Sequence, residues 1–230
     1  MSTDNTAGID WCCLPDADTV CVQAASRILA AAAAAIAARG CFSMVLAGGR
    51  TPVKVYRLLA DSDADWPAWQ IYYGDERCLP GDDAERNSVM AAEAWLNQVA
   101  IPADNVHPIP AEQGAVAAAR AYSPLVEAAR PFDLVLLGMG EDGHTASLFP
   151  GHQHPLPAAV HAVHDAPKPP PDRVSLSRES LSDAHDVLVL VTGAGKRQAL
   201  QQWQHGEALP VAEITARNGV TVLMDAAACS

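Results

Sequence analysis

Positive charge is scarce in this chain: 15 Lys and Arg stand against 27 Asp and Glu, a formal net charge of −12 over 230 residues. That balance argues against a surface built for nucleic acid or an anionic membrane, both of which attract basic patches. A small phosphorylated ligand is still allowed, because it needs only a few local cations. Other signals are also missing. The six cysteines, at 12, 13, 21, 41, 78 and 229, contain no C-x-x-C and no regular spacing. The expectation is free thiols in a reducing cytoplasm. There is no G-x-S-x-G, the nucleophile elbow of serine hydrolases, and no H-E-x-x-H helix to hold zinc. The opening MSTDNTAGID is acidic and polar with no basic segment, which predicts no secretory leader. In AASRILAAAAAAIAARG, Arg27 and Arg39 bracket 11 residues, too few to cross a bilayer. A soluble helix capped by Gly40 is expected there. No linker of Pro, Gly and Ser separates two patterns, so residues 1–230 are expected to form a single domain.

What is present alternates between apolar runs and helical stretches. Strands are expected at 42–49 (FSMVLAGG), 71–76 (IYYGDE), 133–138 (DLVLLG), 186–193 (DVLVLVTG) and 219–225 (GVTVLMD). Helices are expected from Pro52, over 86–99, and over 111–129 with a kink or break at Pro124. The strands are nearly continuous apolar runs rather than in/out alternations, which suits parallel strands covered on both sides. The fold class is therefore α/β: doubly wound, with a mainly parallel sheet and helices on both faces. The Pro- and His-rich stretch 150–173 is expected to run over one end of that sheet. Open sheets of this kind bind ligands at the carboxyl ends of their strands. Three such ends carry unusual residues: Gly48-Gly49-Arg50-Thr51, Gly74-Asp75-Glu76-Arg77, and Gly138 through His144.

The third of these reads G-x-G-x-x-G, the written form of a dinucleotide-binding turn, and Asp165 lies about where a ribose-binding acid would stand. Glu141 and Asp142 count against that reading, since they would set anions against a pyrophosphate. Pro150-Gly151 also leaves no length for the crossover helix that should hold it. A purely structural turn is the bland alternative. A catalytic loop presenting Asp142 and His144 is the third, because His titrates near neutrality and a carboxylate can orient its ring. The first end, with Gly48, Gly49, Arg50, Thr51 and then Pro52, suits phosphate at a helix N-terminus. Its alternative is an ordinary turn capped by Thr51. Gly193-Ala-Gly195-Lys196 lacks the first glycine and the Ser or Thr of a P-loop, and reads as the start of a helix. His152, His154, His161 and His164 read as solvated loop histidines rather than a metal site. Cys78 reads as a half-buried structural thiol rather than a nucleophile.

Taken together, GGRTP at 48–52, YGDERCLP at 73–80 and LLGMGEDGHTASLFPG at 136–151 resemble the 6-phosphogluconolactonase family. RVSLSRESLSDAHDVLVLVTGAGKRQAL at 173–200 and VTVLMDAAA at 220–228 fit the same family's later pattern. The resemblance implies hydrolysis of 6-phospho-D-glucono-1,5-lactone to 6-phospho-D-gluconate, with no metal and no organic cofactor. It matches His144 to the family's general base and Asp142 to its orienting acid. Asp75 and Arg77 match residues of the site. Gly48, Gly49 and Thr51 match the substrate loop, with Arg50 where a serine is common and Ala47 before the glycines. Lys168 and Arg173 fall where basic residues lie near the phosphate. The related glucosamine-6-phosphate deaminases carry D-E-Y in the second loop, so Asp75-Glu76-Arg77 favours the lactonase. A sugar-phosphate sensor without turnover is the remaining alternative. The implied partner is a small phosphorylated lactone in the cytoplasm, with no nucleic acid or membrane, and a monomer is the simpler expectation.

Overall fold

The computed structural model describes residues 8–152 and 158–229. Six strands form one parallel sheet: β1 (Ile9–Leu14), β2 (Phe42–Leu46), β3 (Trp69–Tyr73), β5 (Phe132–Gly138), β8 (Ala184–Val191) and β9 (Val220–Asp225). Their order across the sheet is β1-β9-β8-β5-β2-β3. β5 lies at the centre, with Leu136 opposite Leu188 of β8 and Met44 of β2 opposite Leu134. Every β5 residue but Gly138 is buried, which is why it reads as a continuous apolar run. α1 (Ala17–Arg39) and α2 (Arg50–Ala60) pack against each other, and α1 also lies on the sheet. α1 is capped by the Asp16 carboxylate at one end and by Gly40, at φ 78°, at the other. It is long and apolar enough to cross a membrane by length and composition. Here Val20, Ala24, Ile28, Ala32 and Ala35 instead turn one face of it into the core.

Against the sequence expectations, the sheet, the helices and the thiols differ. A second, three-stranded antiparallel sheet, β4 (Asp75–Arg77), β7 (Arg173–Leu176) and β6 (Val160–Val163), is present. Its strands are too short to carry a period, so part of 150–173 is a strand and not only a surface excursion. It also buries His161, which corrects the solvated-loop reading for that residue. His154 lies outside the described residues, and among those described no group of His, Cys, Asp and Glu is arranged to hold a metal. α4 (Ala115–Ala129) runs unbroken through Pro124, with a separate 3₁₀ turn at Ala111–Gln113. α3 (Asn87–Ala94) stops short of the expected end, and a 3₁₀ turn Leu96–Gln98 follows.

The third difference concerns the thiols. Cys13 and Cys229 form a disulfide across 216 residues of sequence, so these two are not free. The cause is register: β1 pairs with β9 so that Leu14 faces Asp225. The one-turn α7 (Ala226–Cys229) then carries Cys229 back beside β1, with the Cα atoms 6.5 Å apart. Cys12, Cys21, Cys41 and Cys78 are free. Burial pushes the Cys78 thiol up to about 11, so it stays protonated and inert.

Candidate active site

Because β2, β3, β5 and β8 run parallel, the loops at their carboxyl ends meet on one edge of the sheet. They enclose a cavity of about 320 Å³. The loop after β5 lines it with Gly138, Gly140 and His144. His144 Nδ1 lies 2.5 Å from Asp142 Oδ1. A carboxylate can only accept, so Nδ1 carries the proton and Nε2 keeps its lone pair. The loop is held shut by Gly140 N–H donating to the His144 carbonyl at 2.8 Å, and by the Thr145 hydroxyl donating to the Gly138 carbonyl at 2.8 Å. Phe149 packs on the imidazole, with ring centroids 4.8 Å apart. Burial pushes the His144 pKa below its ordinary value, against the hydrogen bond and charge of Asp142. Burial by itself would raise the Asp142 carboxyl; the hydrogen bond and charge of His144 outweigh it and hold it below its ordinary value.

The glycine pattern now has a physical reason, and it is not a pyrophosphate. A Cβ at Gly140 would stand 1.9 Å from His144 Nδ1 and 2.4 Å from Asp142 Oδ1. Gly143 takes φ +79°, and a Cβ there would meet Leu209 at 2.8 Å. The glycines clear space for the dyad. Asp165, the candidate ribose acid, is an exposed residue beyond β6, and it does not line the cavity.

The second loop is more heavily bonded than its sequence suggests. Asp75 and Arg77 both line the cavity. The Asp75 carboxylate accepts from the Ser147 hydroxyl at 2.6 Å and from Asn87 Nδ2 at 3.0 Å, with Arg173 Nη1 at 4.0 Å. It thereby ties β4, α3, β7 and the stretch after His144 into one unit. Glu76, fully buried, accepts the backbone N–H groups of Asn87 at 2.7 Å and Ser88 at 2.8 Å. Those are orphan donors of the first turn of α3. Arg77 Nη1 donates to the Glu85 carbonyl.

The cations come from four places. Lys168, Arg173 and Arg77 line the cavity as expected, and Lys196 lines it unexpectedly. Arg173 spends Nε on the Pro170 carbonyl at 3.1 Å and Nη2 on those of Pro169 and Lys168 at 2.9 and 3.1 Å. It thus fixes the backbone that carries Lys168. Lys196 ends a 3₁₀ turn, Ala194–Lys196, before α6 (Arg197–Gln204). Gly193 N–H starts that turn by donating to both oxygens of the buried Asp225 at 3.0 Å. Burial lowers the Lys196 pKa. The only sequence signal was the near-miss G-x-G-K, whose failure as a P-loop concealed a lysine set at the carboxyl end of β8.

Gly48 and Gly49 also line the cavity. Gly49 is the N-cap of α2 and supplies no side chain, so the first-turn N–H groups have no side-chain cap. The structure does not bring Arg50 and Thr51 to the cavity lining. Arg50 faces a neighbouring groove. The Thr51 hydroxyl bonds that of Thr192 at 2.7 Å, joining the loops after β2 and β8.

The chain is 37% identical to a 6-phosphogluconolactonase of Mycobacterium tuberculosis, over 92% of this chain and 93% of that protein. It is 37% identical to one of Streptomyces coelicolor, over 94% and 91%. Its fold matches the crystal structure of a 6-phosphogluconolactonase from Thermotoga maritima with a TM-score of 0.87 and 27% identity, covering 94% of this chain and 99% of that one. The model of the glucosamine-6-phosphate isomerase/6-phosphogluconolactonase family matches residues 15–223, and to that family this chain belongs.

Proposed function

We propose that this protein hydrolyses 6-phospho-D-glucono-1,5-lactone to 6-phospho-D-gluconate, with water activated by His144. The observation that carries the reading is the Asp142–His144 pair set in a cavity with Arg77, Lys168, Arg173 and Lys196, in a chain of net charge −12. The basic residues suit a phosphorylated substrate. The described lining contains no Ser, Thr or Cys, which suits direct attack by water on an activated ester better than a covalent intermediate.

In this mechanism Asp142 holds the tautomer with Nδ1 protonated, and His144 Nε2 takes a proton from water as its oxygen adds to C1. The lactone carbonyl becomes a tetrahedral oxyanion, stabilised by the Arg77 guanidinium. Collapse breaks the ring C–O bond, and the proton held on Nε2 passes to the leaving ring oxygen. The phosphate rests on the uncapped N–H groups at the start of α2, beside Gly48 and Gly49, with Lys168 and Lys196 as counter-charges. Anchoring at that end positions C1 at the water. Asp75, its carboxylate already engaged by Ser147 and Asn87, acts as a positioning residue. Arg173 does the same for Lys168.

The reading carries with it a cytoplasmic protein whose partner is a small phosphorylated lactone, with no nucleic acid or membrane. A reducing cytosol would open the Cys13–Cys229 bond. Neither cysteine lines the cavity, so hydrolysis does not depend on it. The test is lactone hydrolysis above the spontaneous rate, with wild type beside His144→Ala. Wild type turns over rapidly, and the variant loses at least ~100-fold in kcat, the scale of general-base catalysis. A wild type at the uncatalysed rate overturns the activity. A variant within a few-fold of wild type overturns the role of His144.

A further inference from the structure

Next to the catalytic cavity lies a second groove, of about 570 Å³. Gly49, Arg77 and Pro169 line both and form the wall between them. Arg50, Lys54 and Arg57 all line the groove. They are spaced by four and three residues on α2, which puts them on one helix face. Lys54 is engaged by Asp18 at 2.7 Å. Arg50 and Arg57 make no ion pair with any described residue. Arg57 also borders a neighbouring recess containing Asp61 and Glu93, neither of them within ion-pair distance. Arg77 approaches from the opposite side, with its Nε buried and without a partner. The acidic residue lining the groove is Glu85, whose backbone carbonyl accepts from Arg77.

Like charges stacked on one helix face repel, and here they stand in a chain with an excess of acid. We propose that this groove is a second anion subsite, distinct from the catalytic cavity, that takes a small molecule bearing two linked phosphoryl groups. Arg50 and Arg57 are separated by roughly 10 Å of helical rise. One phosphoryl group sits poorly between forks so far apart, whereas a diphosphate offers each fork its own pair of oxygens. Val53, Met90 and Pro170 give the rest of the molecule an apolar wall. A bound diphosphate also draws on Arg77, which lines the catalytic cavity as well as the groove, so occupancy lowers turnover.

Pyrophosphate is the probe, titrated calorimetrically at low ionic strength into wild type, Arg57→Gln and Lys196→Gln. Arg57 is exposed, and α2 packs through Val55, Tyr56 and Leu59, so Arg57→Gln keeps the fold. Its affinity for pyrophosphate falls at least ~10-fold, the weight of one charge-assisted contact. Lys196→Gln loses no more than ~3-fold, because Lys196 lines the catalytic cavity and reaches the groove only through its charge on Arg50. Without pyrophosphate, Arg57→Gln hydrolyses lactone at the wild-type rate; with it, only wild type is inhibited. Loss of binding in Lys196→Gln with retention in Arg57→Gln overturns the proposal, because the ion then enters only the catalytic cavity. So does a wild type that does not bind. No lactone enters the titration, so its result stands apart from that of the hydrolysis assay.

Discussion

Adding one methyl group at Gly140 separates the chemistry of the dyad from the stability of the fold. Gly140 has no positive φ, so alanine adopts its backbone conformation without strain. The added Cβ, however, would stand 1.9 Å from His144 Nδ1 and 2.2 Å from Cε1. To regain an ordinary 3.4 Å contact the imidazole must retreat by about 1.5 Å. Asp142 Oδ1, 2.4 Å from the same point, must move with it. The His144 backbone is held by Gly140 N–H and cannot follow freely. A displacement of ~1 Å at a reacting group costs ~100-fold in rate. Gly140→Ala should therefore lose about two orders of magnitude in kcat, while thermal melting followed by circular dichroism stays near wild type. Steady-state hydrolysis and a melting curve on one preparation suffice. A kcat within a few-fold of wild type would refute the claim that the glycine exists to clear the dyad. A collapsed melting temperature would move the cause to folding.

Three further outcomes follow from the same geometry. Because burial holds the folded pKa of His144 below 6.5, the unprotonated base persists below the ordinary range, and activity is lost only as pH falls through that lowered value. The acid limb of kcat/KM should thus inflect below 6.5, and Asp142→Asn, which removes an influence that raises the pKa, should move it lower still while reducing kcat; an inflection above that value contradicts the burial argument. Lys196→Gln should raise KM by ~10-fold with little change in kcat, as for a contact made equally in ground and transition states. The reverse split would place Lys196 at the reacting carbon. Glu76→Gln should destabilise the fold by roughly 3 kcal/mol in urea, since it leaves the buried Arg86 facing a neutral group and weakens the start of α3; a loss below ~1 kcal/mol would mean that the Arg86–Glu112 pair suffices.

Much of this molecule could be read from local pattern. β2, β5 and β8 are apolar runs because strands buried on both sides need no polar alternation. The end of α1 is written in Gly40, which takes up the left-handed turn. The loop from Gly138 to His144 was legible too, since a base, an acid and clearing glycines fall within seven consecutive residues. Other features depend on which strands lie side by side. β1 is a half-exposed edge strand of mixed composition, and it is a strand because β9 pairs with it. The same pairing brings Cys229 to Cys13. Lys196 reaches the cavity because β8 adjoins β5 and Asp225 grips Gly193. Arg50 lines the next groove instead of that cavity because α2 turns its basic face that way. Asp75 looks like a free carboxylate until Ser147 and Asn87, distant in sequence, arrive beside it. Helix caps, apolar runs and tight turns act over a few residues and leave their mark there. The sheet order β1-β9-β8-β5-β2-β3 joins residues as far apart in sequence as Ile9 and Val220, and no local pattern records that.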